Sequence, residues 1–441
     1  MAAEAFPIPT SGGRSGLTAR AIVAKGIRRR YAAELRFRAY GIAAILFGLA
    51  FLVILFTNIV SKGYTSFQQS AFRLDVYLDP EVIDPSGKYD ENARQMVDYG
   101  ELAAAALIKA LKVDPQSRPD TRAVGALLSQ NADIDIRDHM LKHPADIGKT
   151  ISVWALAHGN VDSAVKGALD REVPEARRKL SDKQLAWIDR AVAEGLLQKR
   201  FNTGLFTFGA SSQPETAGIG VALVGSAFMM LTVLLLAVPF GVAAAMYLQE
   251  FAPRNRWTDL IEVNINNLAA VPSIVFGILG LAIFINFAGL PRSASIVGGL
   301  VLALMTLPTV IIATRAAIGA VPPSIREAAL GVGASKMQTV THHVLPLAFP
   351  GILTGTIIGL AKALGETAPL LMIGMVAFVV EYPKSPLDPA TALPVQIYMW
   401  ATAAERGFVE RTSGATIILL VFLVAMNLFA VVLRRRFERR W

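Results

Sequence analysis

The chain has 441 residues, of which 53% are apolar and 17% charged, against roughly a quarter charged in soluble domains, and its mean hydropathy is +0.46. Such a composition points to a protein that crosses a membrane several times. It contains no cysteine, which excludes disulfides, thiol nucleophiles, zinc-thiolate sites and cysteine-ligated iron-sulfur clusters. The formal charge of +9 is unevenly spread: residues 61–215 carry 20 Lys and Arg against 22 acids, and the remainder carries 23 against 12. The basic excess therefore flanks apolar runs, which is the pattern that orients membrane helices and not that of a nucleic-acid face.

Residues 1–39 hold eight Lys or Arg and two acids, including Arg28-Arg29-Arg30, and read as a basic cytoplasmic tail. A first transmembrane helix follows at 40–60, where the apolar run Gly41 to Phe56 continues through Val60. About 20 residues suffice for a crossing. A cleavable signal peptide fits less well, because the run ends in Phe56-Thr57-Asn58 where small residues are needed.

Residues 61–215 form a charge-balanced insert long enough to bury its own core. Glu91 to Val113 has apolar residues at Leu102, Ala105, Ala106, Ile108 and Leu111. Ser181 with Gln184 makes a capping box for a helix running to about Gln198. Strand signals are sparse, so the insert is expected to be mostly helical. His139, His143 and His158 have irregular spacing and suit structural roles better than metal ligation.

Five more apolar runs follow within 216–434. The second span covers Ile219 to Leu248, with Pro239 and Gly241 placed to bend it, and Arg254, Arg256 and Trp257 suit a cytosolic interface beyond it. The third covers Leu268 to Phe287, preceded by Asn264, Asn266 and Asn267, whose amides suit bonding between helices. The fourth covers Ile296 to Ala313 and is closed by Arg315, either a snorkelling anchor or a pathway residue. The fifth, Leu347 to Val380, exceeds one simple crossing and should break near Gly365 to Pro369. Beyond it, Pro394 should start a short helix laying Val395, Tyr398 and Met399 on the membrane surface. The sixth covers Ala415 to Leu433 and ends in Arg434-Arg435-Arg436, with 435–441 as a second cytoplasmic tail. Basic segments at both ends place both termini in the cytosol, which six crossings satisfy. The runs lack the alternation of a membrane barrel, so the fold class is an all-α membrane protein.

Between the fourth and fifth spans lies the polar segment Val321 to Pro346, the signature of two short consecutive helices. Ser324 with Glu327, and Ser335 with Gln338, are spaced as capping boxes eleven residues apart. Ala328 and Ala329 leave one face small, Gly333 permits a left-handed stop, and Leu345-Pro346 should end the second helix. Read without further context, the segment is equally an ordinary hairpin between membrane helices.

The order Glu327-Ala328-Ala329, three residues, Gly333, nine residues, His343, then Leu345-Pro346 resembles the EAA loop of binding-protein-dependent ABC importer permeases. His343 departs from it, since the family usually has an aliphatic residue there. Gly365-Glu366-Thr367-Ala368-Pro369-Leu370-Leu371 narrows the resemblance to phosphate importer permeases of the PstA type, as do Asn267 to Ser273 and Leu307-Pro308-Thr309. It covers residues 216–434, about half the chain. The resemblance implies the type I ABC importer permease fold with six transmembrane helices and a periplasmic insert between spans 1 and 2. It also implies that Ser324, Glu327, Ala328, Ala329 and Gly333 couple to an ATPase. The implied companions are a second permease of the PstC type, two ATPase subunits of the PstB type that bind ATP and Mg, and a periplasmic phosphate-binding protein of the PstS type. The setting would be the bacterial inner membrane, with the lipid bilayer around the chain, inorganic phosphate as cargo and no nucleic acid.

Lys362 and Glu366 stand inside an apolar run, where each costs about 2.5 to 3.5 kcal/mol at a helix centre, so both should face protein or water. Four residues apart, they also suit a mutual pair worth only ~0.2 to 0.5 kcal/mol. A register-fixing pair and a pathway-lining pair both remain open. In the PstA resemblance the position of Lys362 is usually Arg, so Lys362, Glu366, Thr367 and, less directly, Arg315 are the candidate translocation residues. No G-x-x-x-x-G-K-[ST], His-Glu-x-x-His or Gly-x-Ser-x-Gly sequence occurs, so neither a P-loop nor a hydrolase site is expected, and no cofactor in this chain. Two rivals stay open: a permease for another oxyanion such as sulfate or molybdate, and a membrane sensor whose 61–215 domain detects a ligand.

Overall fold

The computed structural model describes residues 19–83 and 97–437. It divides into two units, residues 1–58 and 59–441. The first contains most of one long helix, Ala19–Gly63. The basic segment is therefore helical from Ala19 onward and continuous with the first span. Every described side chain from Tyr31 to Asn58 in this unit is exposed, as an apolar helix facing lipid requires.

In the second unit, the insert is mostly helical but has a three-stranded antiparallel sheet at its centre. Strand β1 (Gln68–Tyr77) lies between β2 (Thr150–Leu156) and β3 (Leu197–Phe201). Its registers run Ala71 to Leu156 on one side and Phe72 to Leu197 on the other. Phe72, Leu74 and Val76 alternate with Arg73, Asp75 and Tyr77, so one face of β1 enters a core with Tyr99, Leu107, Ile136, Met140 and Ile188.

The helix expected over Glu91 to Val113 is present as Tyr99–Ala110, capped by Asp98, and residues 91–96 lie outside the described ones. Its buried stripe is Tyr99, Leu102, Ala103 and Leu107, followed by Leu111, while Ala105 is exposed. The Ser181–Gln184 capping box forms, with its helix ending at Ala193 and not near Gln198. Gly195, at φ +71°, turns the chain into β3.

Among the described residues five helices are long and apolar enough to cross a membrane, and a bent pair supplies a sixth span. The second span is Gly220–Met246, extended by a π-helical turn, Tyr247–Phe251. The bent pair is Arg256–Ala269 followed by Ser273–Phe287, with 100° between its halves. The third crossing thus begins at Ser273, because Pro272 caps a new helix there, and Leu268 belongs to the preceding amphipathic helix. Asn264, Asn266 and Asn267 are exposed on that helix, and Asn264 bonds within it to the Leu260 carbonyl, so among the described residues these amides make no bond between helices.

Ser295–Gly319 forms the fourth span and Leu345–Gly365 the fifth, packed closely against each other. Gly351, Gly355 and Gly359 make a stripe every fourth residue that meets Ala317, Ala313 and Thr306. Small residues at this spacing let two membrane helices approach with full backbone contact. A Cβ on Gly355 would overlap that of Ala313, and one on Gly351 would lie 2.7 Å from that of Ala317. Gly355→Leu is therefore expected to force the fourth and fifth spans apart, costing about 1–3 kcal/mol or more. A thermal melt of the detergent-solubilised chain reads this out as a lowered midpoint.

The break expected near Gly365 to Pro369 is present: the fifth span stops at Gly365 and a short helix, Ala368–Met372, follows. Leu393–Ala401 is helical as expected, but Val395 is fully buried and does not lie on the membrane surface. The reason is that the Leu393 amide bonds to the Ser226 Oγ at 2.9 Å, which draws this turn into the span core beside Met229. The sixth span is Gly407–Phe437.

A buried ion cluster joins the insert to the sixth span. The Lys166 Nζ lies 2.6 Å from Asp162 Oδ2 and 2.8 Å from Glu410 Oε1, and donates to the Gln68 carbonyl at 2.7 Å. The Lys166 side chain is only 3% exposed. Asp162 Oδ1 in turn accepts from the Ser70 amide at 2.8 Å. Beside them, the Glu215 carbonyl accepts from Gln69 Nε2 at 2.6 Å and from Arg411 Nη2 at 3.4 Å. Strand β1, an insert helix and the start of the sixth span thus share one desolvated network. His158 has a structural role close by, its Nδ1 capping the helix Gly159–Val165 by accepting from the Asn160 amide.

Candidate functional site

Two regions carry the candidate residues. One is the loop between the fourth and fifth spans. Its first helix is Pro323–Gly331. Pro322 caps that helix without a side-chain bond, so the capping box expected from Ser324 and Glu327 does not form. Pro323 already holds the first helical position, which moves Ser324 inside the helix and leaves Glu327 out of register for the reciprocal bond. The second box does form, with Ser335 Oγ accepting from the Gln338 amide at 3.2 Å and Gln338 Oε1 from the Ser335 amide at 2.9 Å. Gly333 has φ +89°, the left-handed stop the sequence implied.

The second helix of the loop does not end at Leu345-Pro346. Lys336–Gln338 passes through a π-helical segment, Thr339–Val344, directly into the fifth span. Proline is tolerated at Pro346 because it occupies the first turn of the segment that follows. His343 is exposed on the π segment, so no packing beneath the helix depends on it. Ala329 is buried while Ser324, Glu327, Ala328 and Gly333 are exposed. Around them stand Leu330 at 51%, Val332 at 86% and Met337 at 55% exposure. A loop that exposes an acid together with large apolar side chains offers a surface suited to a protein partner.

Arg326, which the sequence gave no reason to single out, holds this loop in place. It binds Glu250 through Nε at 3.0 Å and Nη2 at 2.7 Å. It also donates to the carbonyls of Val321 at 2.7 Å and Ile318 at 2.8 Å. With the partners 76 positions apart, no local pattern announces the pair.

The other region is the break in the fifth span. Lys362 is exposed on the last turn of Leu345–Gly365, and Glu366 has left the helix with ψ 126°. That extended backbone removes the four-residue helical spacing, and among the described residues the two make no ion pair with each other. Glu366 and Thr367 are half-buried. The Thr367 carbonyl receives the amides of Leu370 and Leu371, both at 3.1 Å. Pro369 backs onto the third span at Gly277, where an added Cβ would lie 2.7 Å from the Pro369 Cα.

Arg315 is not part of that break. It forms an ion pair with Glu262 at 2.6 Å, tying the fourth span to the amphipathic helix Arg256–Ala269. With Gly355 against Ala313 in antiparallel helices, Arg315 is about nine residues along the fifth span from Lys362, roughly 13 Å at 1.5 Å per residue.

A loop closes over the span ends beside the break. Its Asp388 carboxylate accepts from the Ser385 and Lys384 amides, each at 2.8 Å, and these bonds hold the carboxyl below the usual Asp range. Its contribution is present above the ordinary carboxylate pKa and is lost as pH falls through the lowered one. Ala390 donates to the Ser293 carbonyl and Ile296 to that of Pro386, which fixes the loop on the start of the fourth span.

Residues 237–441 match the family model described as the binding-protein-dependent transport system inner membrane component. A probable ABC transporter permease protein, YqgI of Bacillus subtilis, is 31% identical over 54% of this chain and 84% of its own length. The chain belongs to the permeases of binding-protein-dependent transport systems. The phosphate transport system permease protein PstA of Mycobacterium leprae is 32% identical to this permease over 53% of its chain and 75% of the relative. Residues 24–175 match a domain of unknown function, DUF3333, which covers much of the insert. In a solved structure of the inward-facing methionine ABC transporter MetNI, one chain aligns over 49% of this permease and 94% of itself, at 16% identity and a TM-score of 0.42. The permease is a multi-pass membrane protein whose described residues supply five membrane-length apolar helices and a bent pair as a sixth span, with a mostly helical insert.

Proposed function

We propose that this permease carries inorganic phosphate inward, forming half of a translocation path with a second, homologous permease. Two separate ATPase subunits would bind ATP and Mg, and a soluble phosphate-binding protein would deliver the cargo. The chain would sit in the bacterial inner membrane, with both termini and the loop at 321–346 cytoplasmic and the insert at 61–215 periplasmic. Arg254, Arg256 and Arg315 at the loop ends of the spans, and Arg434 to Arg436 in the last turn of the sixth, support that orientation.

The observation that carries the reading is the break at Gly365 to Leu371. It carries the stretch on which the resemblance to PstA-type permeases rests and leaves Lys362 and Glu366 without an ion pair to each other, with Pro369 set against Gly277 of the third span. The Lys362 ammonium lowers the barrier for an oxyanion as a point charge, without the fork of an arginine. Glu366 accepts a hydrogen bond that a protonated phosphate donates and that a fully ionised oxyanion lacks. Thr367 adds a hydroxyl at the same break. In this account the Glu327 face docks in the ATPase, and its displacement rocks the two permeases between outward and inward openings.

Phosphate uptake into cells expressing Lys362→Ala or Glu366→Gln tests the assignment. Each is expected to lower uptake at least tenfold with the complex still assembled. Parental rates in both would reject it. Competition by excess sulfate or molybdate in the parent would turn the cargo toward another oxyanion.

A further inference from the structure

The cytosolic loop is gripped by two consecutive residues of the π-helical turn that ends the second span. Glu250 takes the Arg326 guanidinium in the contacts given above, and Lys336 Nζ stands 5.3 Å from the centre of the Phe251 ring. The first loop helix is thus held through Glu250, and the start of the second through Phe251. Arg326 is 22% exposed at its side chain and Glu250 10%, so the pair is largely screened from water. Its two remaining bonds, to the Ile318 and Val321 carbonyls, cover the C-terminal end of the fourth span. A positive charge at that end also complements the helix dipole.

The nine residues of Pro323–Gly331 are too few for a helix to persist alone in water. Its position must come from tertiary contacts: Ile325, Arg326 and Ala329 are turned inward, Ile325 against the cluster of Ile318, Val321 and Val344, and Arg326 onto Glu250. Glu327 and Leu330, each one residue further on, face out. One side of this helix therefore holds while the adjacent side presents. The π turn carries one residue more than an α turn, which sets the phase at which Glu250 and Phe251 leave the helix. The Ala252 amide closes it on the Tyr247 carbonyl at 2.8 Å.

We propose that the Arg326–Glu250 pair, seated on the π turn Tyr247–Phe251, is the positioning device that converts displacement of the loop helix into movement of the second and fourth spans together. The inference rests on the coupling role assigned to this loop above. Arg326 touches no cargo and acts through the spans it joins. A lysine reaches one acceptor at a time and loses the planar fork that binds Glu250 and two carbonyls at once.

The test uses the full permease complex in proteoliposomes, with variants Arg326→Lys and Glu250→Gln. Co-purified ATPase, ATP hydrolysis and phosphate uptake are measured on the same preparation. Both variants are expected to retain the ATPase subunits while phosphate moved per ATP hydrolysed drops about tenfold. An unchanged ratio in both would overturn the proposal. Loss of assembled complex with a normal ratio in what remains would overturn it equally, since the pair would then be only structural. A parent that retains no ATPase would refute the coupling role itself, an outcome separate from any result on the ratio.

Discussion

Lys166→Met is expected to loosen the insert from the sixth span at a cost of about 3–5 kcal/mol, the range for removing one partner from a buried ion network. The substitution keeps much of the side-chain volume but leaves the carboxylates of Asp162 and Glu410 without their shared cation. Asp162 retains the Ser70 amide, and Glu410 is 19% exposed, which favours the lower end of that range. Limited proteolysis of the insert in membranes, with the thermal midpoint of the solubilised chain, would register the change. A triple variant with Lys166→Met, Asp162→Asn and Glu410→Gln is expected to recover part of it, because Lys166 and its two carboxylate partners are then neutral together and Arg411 keeps Glu215 as its remaining acid. Equal loss in both would show that the methionine disturbs packing and not charge balance.

The second large effect falls on transport. Glu327→Lys reverses an exposed charge that makes no ion pair among the described residues, so stability should change by no more than about 0.5 kcal/mol. Under the proposed coupling role, phosphate uptake should nonetheless fall at least tenfold, because the reversed charge would face the ATPase while the exposed Leu330, Val332 and Met337 are unchanged. Radiolabelled phosphate uptake with an immunoblot of membrane-inserted chain separates the two quantities. Undiminished uptake would remove Glu327 from the coupling surface.

Much of the span layout was legible because hydropathy acts over twenty residues at a time. The break after Gly365 was also legible, from Pro369 and two charges in an apolar run. The sheet was missed although Phe72, Leu74 and Val76 alternate with polar neighbours in β1, a period-two signal that the helical content around it masks. The Ser324 cap failed on a single residue, since two consecutive prolines start the helix earlier than the serine would. Gly351, Gly355 and Gly359 were visible as a four-residue repeat, and only the facing alanines gave that repeat its meaning. The Arg326–Glu250 pair and the Lys166 cluster join residues 76 and 244 positions apart, and no periodicity encodes such contacts.

The proposed function sets the loop at 321–346 against a separate ATPase on the cytoplasmic side. Because the chain has no cysteine, Val332→Cys supplies a unique thiol on the most exposed part of that loop. Crosslinking this thiol in native membranes is expected to capture the nucleotide-hydrolysing subunit, with a yield that changes when ATP is bound. Labelling of the same thiol by an impermeant reagent added from the outside, with no ATPase captured, would contradict the account.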